Sequence, residues 1–409
     1  MDLNEKRILA FTSMSHFFTH FYMLIFPVLV LPLSRDLGLS LDKVLGMSFL
    51  MYLLYGLAAI PWGFISDSLS PRIVMGGGTI IAGAGLFFSG LIQNSSFLMW
   101  TLAITGLGCA AFHPSGLALV SKGIKSRGKG LGISGIFGNL GMAAAPFTAG
   151  VMNYYLGWRQ TLLILGLTGI LAGLSSFIFK FSVPRDGDLQ KGENIKEINV
   201  LKLFLVLCTV VLLSGLMYRT YTLVFPAWIE IKLGSLFSSI DKILIRNGSN
   251  SLVPESDTLI ASIITGFVYI IGMFGQLIGG KIADKWELRT AFLFFWLMAI
   301  PFLLLALFSN GLWILPFTGL FIFFAMGMQP IENSIYAILT PPRWRSVGYG
   351  IKFTLTFGIG SLSVFIVKLA EPFIGLDGVM LLAFGYLILT ALTALVLRFI
   401  NKDQKIKHS

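Results

Sequence analysis

Long apolar stretches recur along the whole chain, separated by a few charged or turn-forming residues. They fall near 9–33, 44–64, 73–92, 97–120, 130–150, 158–179, 203–229, 258–280, 290–308, 312–340, 347–369 and 377–399. A bilayer's hydrocarbon core takes roughly 20 apolar residues per helix, and a backbone in lipid has to satisfy its own hydrogen bonds. The pattern therefore predicts an all-α membrane protein with twelve transmembrane helices. Two polar interruptions are wider than the rest. Residues 181–202 mix Arg185, Asp186, Asp188, Lys191, Glu193, Lys196 and Glu197. This predicts a solvated linker between a six-helix bundle at 1–180 and a second at 203–400, with a short tail at 401–409. In 230–257, Leu233, Leu236, Phe237, Ile240, Ile243 and Leu244 recur at helical spacing, which predicts a short helix lying on the membrane surface.

Composition agrees: 56% of the residues are hydrophobic and 12% charged, against about 25% charged in a soluble domain. A water-soluble enzyme is excluded. The formal charge of +11 would suggest nucleic acid in a soluble protein, but here its distribution is a topology signal. If the twelve crossings hold, 21 of the 30 Lys and Arg residues share a side with both termini, and seven lie opposite. Basic residues collect in the cytoplasm, so both termini are expected to be cytoplasmic and no nucleic-acid partner is expected. Cys109 and Cys208 sit inside apolar runs and give neither a disulfide framework nor a metal pattern. No cofactor or metal site is expected. The first apolar stretch is long enough to stay in the membrane and has no small-residue cleavage site.

The two halves repeat. Residues 15–27 (SHFFTHFYMLIFP) superpose on 214–226 (SGLMYRTYTLVFP) at an offset of 199, matching Ser15/Ser214, Tyr22/Tyr221, Leu24/Leu223, Phe26/Phe225 and Pro27/Pro226. Gly63, Asp67 and Arg72 after segment 2 match Gly280, Asp284 and Arg289 after segment 8, and His113-Pro114 matches Gln329-Pro330. Two pseudo-symmetric six-helix bundles with a site at their interface form a transporter architecture. In each repeated turn glycine allows close helix approach, while the acid can accept from a neighbouring helix N-terminus and pair with the base, making a breakable latch.

The paired turns GFISDSLSPR (63–72) and GKIADKWELR (280–289) resemble the loop signature of the major facilitator superfamily, with Ser68 and Ser70 where that signature usually has a base and a glycine. The resemblance extends to the crossings, the central linker and Gly157-Trp158-Arg159 at the start of segment 6, and implies the major facilitator fold. Segment 5, with Gly132, Gly141, Ala145-Pro146 and Ala149-Gly150, is similar to a softened form of the glycine-proline motif of the superfamily's drug/proton antiporters. A looser resemblance, to the fosmidomycin-resistance branch, rests on Ser15-His16, AAFHPSG (110–116) and SRGKGLG (126–132), although Ser115 and Gly116 stand where that branch carries an acid.

In such a fold segments 1, 4, 7 and 10 line the cavity. They hold His16, His20, His113, Arg219 and Glu332, and Lys352 of segment 11 can reach in. Ionisable groups at membrane depth are expensive and usually face a cavity or a partner. His16 can equally be a packing group, His113 can satisfy a carbonyl freed by Pro114, and Glu332 can pair with Arg219 or Lys352. As a substrate site, His20, Tyr22, His113, Arg219, Tyr221, Glu332 and Lys352 favour a small anion, with Glu332, His20 and His113 as candidate proton carriers. No phosphate-binding loop or hydrolytic motif appears. The sequence therefore predicts a monomeric secondary transporter in a prokaryotic cytoplasmic (inner) membrane. Its leading form is a proton-coupled exporter (antiporter, efflux) of small, possibly anionic compounds, and the alternative is an uptake symporter for an organic anion such as a carboxylate or phosphonate.

Overall fold

The computed structural model describes residues 1–124, 127–182, 200–234, 236, 254–283, 285–339 and 345–400. The N-terminal half runs α1 (Leu3–Leu37), α2 (Leu41–Met47), α3 (Phe49–Leu57), α4 (Ala59–Ser68), α5 (Pro71–Leu91), α6 (Leu98–Cys109), α7 (Phe112–Gly123) and α8 (Arg127–Ser175). The C-terminal half runs α9 (Val200–Lys232), α10 (Pro254–Ala283), α11 (Leu288–Phe308), α12 (Ile314–Gly327), α13 (Gln329–Leu339), α14 (Arg345–Phe353) and α15 (Leu362–Phe399). Most of the expected linker, the expected surface helix beyond residue 236 and the tail lie outside the described residues.

Among the described residues, ten helical stretches are long and apolar enough to cross a bilayer. Two of them span 49 and 51 residues, about twice what one crossing needs. Each is broken at a single glycine with positive φ, Gly157 (φ 77°) and Gly375 (φ 61°). Each is thus a hairpin of two crossings, consistent with twelve, and the breaks fall where the polar pattern put them. Gly157 combines its φ with ψ 164°, a region essentially closed to other residues, where strain costs about 1–3 kcal/mol. Gly157→Ala should therefore lower the thermal unfolding temperature, whereas Gly132→Ala, where an added Cβ meets nothing within 4 Å, should not; equal shifts would show that this turn carries no strain.

The proline positions explain the broken crossings. Pro114 and Pro330 lack the N–H that Ala110 and Met326 would otherwise receive, and the chain steps out of helix at 110–111 and at 328. Gly63 faces the ring of Pro114, and Gly280 faces that of Pro330, so the repeat seen in sequence is also a repeat in packing. The bases of the two turns behave alike. Arg72 Nη1 donates to the Phe179 carbonyl at 2.7 Å, and Arg289 Nη1 to the Ile400 carbonyl at 2.6 Å, each gripping the end of the last helix of its own half. Arg289 also meets Glu287 at 2.9 Å. Burial pushes the Glu287 carboxyl up, but hydrogen bonds from Thr290 and Arg289 outweigh it and hold it below the usual carboxylate range. The Asp67 side chain and Asp284 lie outside what is described, so the acid half of the expected latch is not on view.

A related tie recurs with its partners exchanged: Trp158 Nε1 donates to Asp36 at 2.9 Å, and Trp228 Nε1 to Asp377 at 2.7 Å. The halves approach tightly where α3 crosses the π-helical turn 354–358. There a Cβ on Gly56 would overlap the backbone of Phe357 and Gly358.

Candidate substrate site between the two halves

About halfway along α1 and at the first turn of α7, three imidazoles come together. The ring centroids of His16, His20 and His113 are 4.9, 5.4 and 5.6 Å apart. Residues four apart share a helix face, which brings His16 and His20 together on α1, and the turn before Pro114 aims His113 at them. Ser134 of α8 receives the His16 Nδ1 bond at its carbonyl, 2.8 Å. Gly138 leaves room for the His16 ring, since a Cβ there would press on Nε2. His113 Nε2 lies 2.8 Å from the Tyr55 hydroxyl, and its ring stacks on Phe353 at 4.2 Å. Its Nδ1 is buried without a partner, so His113 does not satisfy a carbonyl at the kink.

Arg219 of α9 lies across the seam, only 2% exposed. Its guanidinium sits 3.5 Å above the Tyr52 ring of α3, a cation–π contact worth about 2 kcal/mol or more when desolvated. Nε and Nη1 have no hydrogen-bond partner. Among the described residues no carboxylate lies within ion-pairing distance of it. Glu332 pairs instead with Lys352, Oε1 to Nζ at 2.7 Å. Lys352 also donates to Asn333 Oδ1, while Glu332 Oε2 is buried and unpartnered. The ion pair left open by the sequence is thus Glu332–Lys352, and Arg219 supplies the core's uncompensated positive charge.

Tyr22 and Tyr221, equivalent in the repeat, each serve their own half. Tyr22 donates to the Leu165 carbonyl at 2.9 Å, and Tyr221 stacks on Phe225 at 4.6 Å. Of the segment 5 residues, Gly141 packs on the Phe17 backbone and Gly150 on Ser262, so that face is close-packed against both halves. Sequence reasoning passed over Tyr52, Tyr55, Phe353 and Phe357, because aromatics in apolar segments carry no signal beyond burial. It also passed over a ladder of carboxamides joining the halves, in which Asn139 donates to Gln276 and Gln276 donates to Gln329 at 2.6 Å.

On the face opposite the N-terminus, Arg35 of α1 pairs with Glu230 of α9 and donates to Thr258 of α10 at 3.3 Å. This tie closes the seam over a small space lined by Val28, Leu31, Ala227 and Ser262. Arg35 is 42% exposed, so the pair is worth about 1 kcal/mol at most. Glu230→Gln should open that face up to about fivefold more often. The readout is faster labelling of Ala227→Cys by an impermeant thiol reagent; an unchanged rate would remove the pair as a gate.

Two repeated helical bundles with buried, incompletely partnered charges at their seam have the architecture of a membrane transporter. The family model described as Major Facilitator Superfamily matches residues 9–365, and the chain belongs to that superfamily: it is a membrane transporter, not an enzyme. It is 26% identical over 150 residues to a protein of Escherichia coli strain K12 named "Probable L-galactonate transporter", covering 36% of this chain and 33% of that one. It is 28% identical over 171 residues to a "Probable hexose phosphate transport protein" of Chlamydia muridarum, covering 41% and 38%. The chain thus spans between a third and two fifths of the length of these relatives. Its fold is similar to that of a bacterial homolog of the human lysosomal transporter Spinster in an inward-facing, unoccupied conformation, with a TM-score of 0.72, 15% identity, and coverage of 100% of this chain and 99% of that one.

Proposed function

We propose that the protein is a proton-coupled secondary transporter of a small organic anion, bound by Arg219 at the seam and released by rocking of the two halves. The observation carrying this reading is the buried Arg219 guanidinium with two unpartnered nitrogen sites. An unpaired buried charge is costly, and an anionic group that accepts from Nε and Nη1 offsets that cost. The unpartnered Glu332 Oε2 suits a substrate hydroxyl, so a hydroxylated carboxylate or phosphate fits both ends. The relatives named for galactonate and hexose phosphate are of that chemistry.

Protonation of Glu332 releases Lys352 from its pair and adds a second positive charge to the core. Proton and anion binding then reinforce one another, as reciprocal linkage requires. Such coupling supports uptake: an inside-negative potential opposes entry of an anion by about 2.3 kcal/mol per charge per 100 mV, and a bound proton removes that charge. Export is the second reading, favoured by the close-packed Gly141 and Gly150 of the antiporter-like segment 5. The termini facing the cytoplasm, a prokaryotic inner membrane and a monomer belong to the same reading.

The test is a thermal-shift screen of the purified protein against aldonates, hexose phosphates, neutral sugars and lipophilic cations, followed by flux into proteoliposomes under an imposed pH gradient. A ligand at 100 times its Kd stabilises by about 2.7 kcal/mol. Stabilisation by anions and accumulation driven by an acidic exterior are expected. Stabilisation confined to cations or neutral sugars overturns the anion reading, and flux only in the opposite sense selects export.

A further inference from the structure

The three histidines form a cluster that the anion reading does not need. A metal held by three imidazoles in tetrahedral geometry lies about 2.0–2.1 Å from each nitrogen, which places the ring centroids roughly 5.2 Å from one another. The observed separations of 4.9, 5.4 and 5.6 Å bracket that value. One ring nitrogen from each histidine lies within 4.8 Å of those of the other two. Ligation needs them at about 3.3 Å, and the His20 ring, the least buried of the three, is the one with room to turn.

The surrounding bonds match what a metal site requires. A metal-binding imidazole usually donates its other N–H to a carbonyl, hydroxyl or carboxylate, which fixes the tautomer. His16 Nδ1 can donate to the Ser134 carbonyl, leaving Nε2 with its lone pair. His113 Nε2 can donate to the Tyr55 hydroxyl, leaving its buried and unpartnered Nδ1 as the ligand atom. We infer that His16, His20 and His113 form a binding site for a divalent transition-metal ion of the imidazole-preferring class, with Zn2+ its most suitable occupant. Neutral nitrogen donors without carboxylate exclude Mg2+ and Ca2+, which require oxygen. Three ligands leave a fourth position open to water or an anion. Because α1 and α7 supply the ligands while Phe353 of the opposite half stacks on His113, a bound ion stiffens one wall of the seam.

The test uses the full chain carrying no polyhistidine tag. The protein is dialysed against ZnCl2 and the bound metal counted by mass spectrometry, then titrated with Co2+ while the visible bands are recorded. One metal per chain is expected, with the intense bands of four-coordinate Co2+. His20→Ala and His113→Ala should weaken binding by more than the roughly 10–100-fold that loss of a second-shell partner costs. Tyr55→Phe, which keeps all three ligands and the ring packing, should weaken it within that range. A parent protein that binds no more metal than a monodisperse triple variant with all three histidines changed to glutamine overturns the site. So does a six-coordinate Co2+ spectrum that the variants leave unchanged, since His408 survives in all of them.

Discussion

Replacing Arg219 with alanine should weaken binding of the transported anion by roughly 30-fold or more while leaving the protein folded. The binding loss follows from burial: removing one partner of a desolvated, hydrogen-bonded charge pair costs about 2–5 kcal/mol. The tolerance of the fold follows from what Arg219 lacks. Two of its nitrogen sites are unpartnered and its visible compensation is the Tyr52 ring at 3.5 Å and the more distant Tyr218 ring at 5.8 Å, so truncation abolishes an unsatisfied buried charge at the cost of these cation–π contacts. Arg219→Lys separates charge from shape. Lysine keeps the positive charge but loses the planar fork that meets a carboxylate or phosphate with two bonds, and its affinity should fall between those of the parent and the alanine variant. Titrations followed by thermal shift read all three proteins. Anion affinity unchanged in Arg219→Ala would take the anchor away from this residue and the anionic substrate with it.

How much of this was legible in the sequence depends on whether a residue announces itself by contrast. The hairpins were legible because Gly157 and Gly375 each stand between two apolar stretches, and a helix that leaves the membrane has to turn there. Arg219, Glu332 and Lys352 stood out because a charge inside an apolar segment is rare in lipid, but spacing along the chain could not show which of the two bases Glu332 would choose. The choice rests on α14 entering beside α13, so that Lys352 reaches both Glu332 and Asn333. His113 was legible as an ionisable group next to a proline, yet its meeting with His16 and His20 crosses about a hundred residues of chain and no local pattern encodes it. Tyr52 and Tyr55 were invisible for the opposite reason: they share the apolar character of their segment, and only the crossing of α3 at the seam turns their faces and hydroxyls to use. Tyr22 and Tyr221 are equivalent in the repeat but not in their bonding, which the sequence could not show: Tyr22 donates to the Leu165 carbonyl, while the buried Tyr221 hydroxyl has no partner.

Glu332→Gln should uncouple transport from the proton gradient and destabilise the protein, and the two effects can be separated by a second substitution. Glutamine cannot carry a transferable proton at Oε2, so flux should no longer rise when the exterior is acidified. It also leaves Lys352, 5% exposed, without its counter-charge, and breaking a buried pair by removing one partner typically costs 3–5 kcal/mol. Adding Lys352→Met removes the stranded charge and replaces its stem with a side chain of similar length. Because substituting both members of a buried pair is often neutral or stabilising, the double variant should recover most of the thermal stability lost by the single one. Coupling should not return, since no proton carrier has been restored. Proteoliposome flux with and without a pH gradient, measured beside thermal unfolding for all three proteins, distinguishes the cases. Stability recovered together with coupling would mean that Glu332 acts only by neutralising Lys352. Proton-driven flux retained in the single variant would remove Glu332 as the carrier.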